Sequence, residues 1–145
     1  MRIRMFLACA VAAIALPALA IASMHPELGA KLTGKVEVPK GSPTGHGIVN
    51  LTLNAAKGTV CWTFAGIAGI DKPTAAHIHK APPGKAGPIV VPLGGGYKAK
   101  GCTTAPKKLV AAIEASPNAY YVNVHTAKYP AGAIRGQLVA GMVHM

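Results

Sequence analysis

The chain has 145 residues, 51% of them hydrophobic, and carries 15 Lys and Arg against 4 Asp and Glu for a formal charge of +11. That apolar fraction is too high for a disordered chain, and the length accommodates one domain with its own core rather than two. Four acids leave little from which to build a catalytic carboxylate pair, and the few aromatics do not alternate with the lysines as a nucleic-acid stacking platform requires.

Residues 1–22 predict a signal peptide: Arg2 and Arg4 form the positive end, Met5 to Leu16 the apolar stretch, and small residues follow Pro17. Both Ala18-Leu19-Ala20 and Ala20-Ile21-Ala22 satisfy the small-x-small rule, which places cleavage after Ala20 or Ala22. The stretch is too short to span a membrane and no other apolar run reaches transmembrane length. Cys9 lies too early in it for a lipid-anchored cysteine. The expected product is a secreted or periplasmic single domain, residues 23–145, of net charge +9 once Arg2 and Arg4 have left the +11 total. Two cysteines remain, Cys61 and Cys102, and an even count in an exported chain predicts a disulfide.

Strand grammar begins at Leu28 to Val38, where Ala30, Leu32, Gly34, Val36 and Val38 share one face. Ile48 to Leu53 and Thr59 to Phe64 continue it, joined through Asn54-Ala55-Ala56-Lys57-Gly58, a loop of hairpin length ending in glycine. Val60, Trp62 and Phe64 on one face predict the heart of the core. Thr74 to Lys80, the short run Ile89 to Val91, Tyr120 to Thr126 and Ala133 to Ala140 complete the set. Pro106 to Ala115 predicts the one helix, with proline at its start and Pro117 stopping it. The expected fold is all-β, an antiparallel Greek-key sandwich or barrel of about seven or eight strands with one short helix.

Chemistry concentrates in two of these strands. Alternation in Ala75-Ala76-His77-Ile78-His79 puts His77 and His79 on one face and Ile78 on the other. In Tyr121-Val122-Asn123-Val124-His125 it buries Val122 and Val124 and turns Tyr121, Asn123 and His125 away from them. If the two strands are neighbours, three histidines converge. Neutral imidazole suits copper or zinc, and a three-histidine set leaves a coordination position open. The alternative use of the same residues is structural, as hydrogen-bonding partners of Asn123, Thr126 and loop carbonyls. Arg135, on the face opposite Ile134, is placed to reach a carbonyl, a carboxylate or an anion near the histidines, with Asn123 as a second supporting residue.

Three segments together resemble the CHRD domain, the module named after chordin and found also in exported bacterial proteins: Glu37-Val38-Pro39, Ala76 to Leu93 (AHIHKAPPGKAGPIVVPL) and Tyr120 to Leu138 (YYVNVHTAKYPAGAIRGQL). The resemblance runs from about Leu28 to Val139 and implies an extracellular module with no assigned reaction. A looser similarity is to copper/zinc superoxide dismutase. It would make His77, His79 and His125 resemble three copper ligands and Arg135 an anion-guiding arginine. The bridging histidine and the zinc set in the Ala81 to Pro92 loop have no counterpart, so this similarity implies fold and a mononuclear site rather than dismutation.

Accessory copper candidates lie at both ends. Cleavage after Ala22 would expose Ser23-Met24-His25, whose amine and third-position histidine suit square-planar Cu(II), and Met142-Val143-His144-Met145 offers thioethers and imidazole to Cu(I). No hydrolase context surrounds Ser23, Ser42 or Ser116, and Cys61 and Cys102 are no Cys-x-x-Cys pair. The function expected is therefore binding of one copper or zinc ion, for metal handling or a metal-centred redox step. The alternative is a metal-free module whose basic surface, Lys107 and Lys108 included, docks on an acidic protein or anionic envelope polymer.

Overall fold

Period-two alternation closes most of this chain into a curled antiparallel sheet. The computed structural model describes residues 25–145; the predicted signal peptide and its two cleavage positions lie outside the described residues. The strands are β1 (Glu27–Thr33), β2 (His46–Asn54), β3 (Thr59–Ala68), β4 (Pro73–Lys80), β5 (Ile89–Pro92), β6 (Lys100–Thr104), β7 (Tyr120–Thr126), β8 (Ile134–Gln137) and β9 (Val139–Ala140), with one helix, α1 (Lys107–Ala115). They lie in the order β5-β4-β7-β8-β1-β2-β3-β6, with β9 also beside β1.

The sheet is a nearly closed barrel. One run of chain, residues 89–104, leaves the edge of β4 and arrives at the edge of β3. Along it Leu93 and Tyr97 donate backbone hydrogen bonds to Ala76 and Thr74, and Phe64 donates to Ala99. The Trp62 indole donates to Lys98 O at 2.9 Å, tying the core to this bridging segment. Strands β4 to β7 thus follow a Greek-key path, the fourth returning to lie beside the first.

Inward-facing residues of nearly every strand meet in a single cluster that includes Leu32, Val49, Leu53, Val60, Trp62, Ile78, Val122, Val124 and Ile134. Helix α1 packs across the β2–β3 hairpin and contributes Val110 and Ile113, both fully buried. Cys61 and Cys102 stand directly opposite each other on β3 and β6 and are disulfide-bonded, closing a loop of 41 residues that stabilises the fold by about 3 to 4 kcal/mol.

Three features depart from the sequence reading. The first strand ends at Thr33 rather than Val38: Gly34 presses against the Ser42 backbone too closely for any Cβ, a 3-10 turn follows over Gly34–Val36, and Val36 and Val38 turn out to solvent, 52% and 39% exposed. The run Ala133 to Ala140 is split, because Leu138 turns into the core between β8 and β9. Strand β6, Lys-Gly-Cys-Thr-Thr, lacks any apolar alternation and is held instead by its register with β3 and the disulfide.

Candidate metal centre

Strands β4 and β7 pair with His77 opposite Asn123 and His79 opposite Tyr121, while His125 faces Ala75. Strand β8 extends the rows, setting Arg135 beside Asn123 and Gln137 beside Tyr121. Since Ile78, Val122 and Val124 fill the core, all these polar residues share the outer face of the barrel. Outer faces of antiparallel sheets are ordinarily wet, yet β7 is buried along its whole length on both sides.

Loops cover it. The β4–β5 connection folds back so that Gly87 O accepts a hydrogen bond from His79 Nδ1 at 2.8 Å, and Gly87 N donates to the Tyr121 hydroxyl at 3.3 Å. From the β7–β8 connection, Pro130 O accepts from His125 Nδ1 at 2.9 Å. A third cover comes from the turn after β1, which carries Glu37 inward until it is 4% exposed.

These bonds set the tautomers. His79 and His125 each donate from Nδ1 to a carbonyl, so each Nε2 carries a lone pair. His77 Nδ1 lies 2.9 Å from His125 Nε2 and donates to it. His79 Nε2 is buried without any hydrogen-bond partner, as is Asn123 Oδ1. One ring nitrogen from each of the three histidines lies within 4.8 Å of the others, the one such grouping of ligating side chains among the described residues. Metal–nitrogen bonds of about 2.0–2.1 Å would require the rings to draw closer together.

Electrostatics favours neutral imidazole. Burial, reinforced by His125 and His79, pushes His77 down to about 4. Burial likewise lowers His79 and His125, in each case against the raising effect of the bond to a loop carbonyl. All three are therefore uncharged at neutral pH, the state a metal needs.

Arg135 is 3% exposed and organises the surroundings. Its Nε donates to Val36 O at 2.6 Å and one terminal nitrogen to Lys85 O at 2.9 Å, while Glu37 lies 3.9 Å away. Its guanidinium covers the Tyr121 ring at 4.5 Å, and that ring stacks on His79 at 4.8 Å and 11°. Tyr121 is thus a wedge between arginine and histidine. Glu37 Oε1 has no partner, and burial raises the carboxyl to about 7 against the lowering pull of Arg135. The Asn123 amide influences both Glu37 and His79 but donates only to Ala131 O, at 3.5 Å.

A family model for the CHRD domain matches residues 28–138. The chain belongs to the CHRD-domain family. No curated protein and no solved structure matches it. All three segments that carried the resemblance converge in this CHRD domain: the Glu37 turn, the His77–His79 strand with its loop, and the Tyr120 to Leu138 hairpin.

Of the residues singled out from sequence, His77, His79, His125, Asn123 and Arg135 lie together, and Cys61 pairs with Cys102. The terminal candidates lie elsewhere. His25 precedes β1, whose far end at Thr33 meets Arg135, so the length of that strand, about 20 Å, separates it from the centre; Ser23 and Met24 lie outside the described residues. Asn50 clasps Val143 through two hydrogen bonds of 3.1 and 2.8 Å, which lays the tail across β2 and β3. Met142 then lines a groove with Cys61 and Trp62, while Met145 packs on Gly66 and His144 is exposed, so the two thioethers do not face a common point. The sequence reading did not give Glu37, Tyr121 and Gln137 their roles. Gln137 Nε2 donates to Ala81 O and Asn118 O, at 2.8 and 2.7 Å, and so holds the start of the β4–β5 loop. Only their presence in the family segments pointed to them.

Proposed function

We propose that this CHRD domain is an exported protein that binds one copper or zinc ion through His77, His79 and His125. The observation that carries the reading is the buried, unpartnered Nε2 of His79 beside two further imidazoles, with loop carbonyls fixing the Nδ1 nitrogens of His79 and His125. Leaving a buried polar atom unsatisfied typically costs about 1–3 kcal/mol, which a bound cation would offset. Carbonyls bonded to the non-ligating nitrogen are the usual second support of a metal-binding histidine, and they also make the ring a better donor. Three protein ligands leave a coordination position for water or a transfer partner, which suits metal handling or a metal-centred redox step. The affinity order of N-donor sites favours copper where both ions are available. Export is supported by the leader pattern at residues 1–22 and by the disulfide.

The test is metal content by elemental analysis of protein purified from its native compartment, with His77→Ala, His79→Ala and His125→Ala alongside. One equivalent of copper or zinc is expected in the wild type and none in each variant. A wild type that is metal-free and stays so after titration with both ions would sink the proposal.

A further inference from the structure

Beyond Arg135, on the β1 side of the same outer face, a cleft of about 700 Å³ opens between two walls. One wall is the turn after β1, where Val36 and Val38 are exposed side by side with Pro39. The other is a β-turn, Pro82-Pro83-Gly84-Lys85, closed by Lys85 N donating to Pro82 O at 3.2 Å. Gly84 has φ +76°, the left-handed conformation that the third position of a type II turn demands. Arg135 fastens both walls, through Val36 O and Lys85 O, so the cleft is preformed.

Its chemistry is one-sided. Lys31, Lys35 and Lys40 stand around the opening, all exposed, and none of them forms an ion pair within the described residues. The one acid in the lining, Glu37, is buried against Arg135 and offers them nothing. An apolar wall beside three uncompensated ammonium groups fits a ligand that is itself apolar at one end and anionic at the other. The volume falls within the usual range of small-ligand sites, about 300–1,000 Å³. An acidic peptide fits less well, because β2 pairs one edge of β1 while β8 and β9 lie along the other, with Gly136 against the Lys31 backbone, and leave no room for an added strand.

We propose that this cleft binds a single-chain carboxylate of the fatty-acid type, its chain against Val36, Val38 and Pro83 and its carboxylate among Lys31, Lys35 and Lys40. Its lining contains none of the three histidines.

The experiment is calorimetric titration of the mature chain with monomeric dodecanoate, with dodecanol and acetate as probes of the chain alone and the charge alone. Saturable one-to-one binding of dodecanoate is expected, about tenfold or more tighter than dodecanol, with no saturation by acetate. The double variant Lys35→Glu/Lys40→Glu should weaken dodecanoate about tenfold or more, whereas Lys107→Glu/Lys108→Glu, the same change of charge on α1, should leave it within about twofold. Val38→Asn, a solvent-facing change, should weaken it too without altering thermal unfolding. The proposal is overturned if dodecanoate does not saturate, if the two double variants weaken it equally, or if the protein binds phosphatidylglycerol vesicles but no free carboxylate. The last result would make the surface a membrane contact.

Discussion

Two outer faces of this barrel are built from the same strand grammar and end in opposite physical states. On β4, β7 and β8 the outward residues are imidazole, amide, phenol and guanidinium, and loops bury them until His79 Nε2 and Asn123 Oδ1, like Glu37 Oε1 on the covering turn, have no partner. On β2 and β3 the outward residues include Asn50, Thr52 and Thr63, which remain solvated or part-solvated, covered only by the tail that Asn50 clasps. The strands are equivalent; the cover differs. A buried polar group without a partner is costly, and such groups concentrate where a ligand or a reaction uses them. The contrast teaches that the candidate site is a property of three loops closing over a sheet, and that the histidines alone would make only a wet polar patch.

The contrast can be broken most forcefully at Arg135. Arg135→Ala would leave Glu37 buried without its cation and free both cleft walls. We expect a loss of about 3–5 kcal/mol in urea unfolding at alkaline pH, and poor recovery by Arg135→Lys, which cannot reproduce a forked donor to two carbonyls. A loss below about 1 kcal/mol would show that the covered face is no more cohesive than the open one.

A smaller, pH-dependent effect is expected at Glu37. Its folded carboxyl is raised from 4.5 to about 7, so between those values the folded state holds a proton that the unfolded state has released. Its contribution to stability is therefore complete below about pH 4.5 and is lost as pH rises through about 7. Glu37→Gln does not titrate, so its stability relative to wild type should improve by roughly 1–3 kcal/mol between about pH 5 and pH 8. Parallel stability curves for the two proteins across that range would contradict it.

The smallest effect belongs to the open face. Asn50→Ala removes both bonds to Val143, and because the tail is terminal and largely exposed we expect global stability to change by no more than about 1 kcal/mol. Hydrogen exchange at the Val143 amide should rise, with metal content and exchange at the β7 amides unchanged. Faster exchange in β7 would mean that the two faces are coupled through the core.

Much of this was legible in the residues. Alternation in Thr59 to Phe64 put Val60, Trp62 and Phe64 inward, and alternation in β4 and β7 put three histidines on one face, because side chains of a strand have a period of two whatever surrounds it. The even cysteine count outside the predicted leader predicted the bridge. Alternation failed at Val36 and Val38, which match the inward face of β1 by period but lie beyond the turn that the crowded Gly34 forces. It was silent on β6, whose place comes from its partner β3, and on Glu37, which reads as an ordinary acid beside a strand.

The sequence by itself determined the periodicity, the inward and outward faces, the pairing of cysteines and which histidines share a face, since each depends on residues close together in the chain or on chemistry intrinsic to a residue type. Only the tertiary structure decided that β4 and β7 are neighbours, that loops from three distant segments shut water out, and that Arg135 joins the histidine centre to the cleft. Those are contacts between segments remote in sequence, and no local pattern encodes the distance between them.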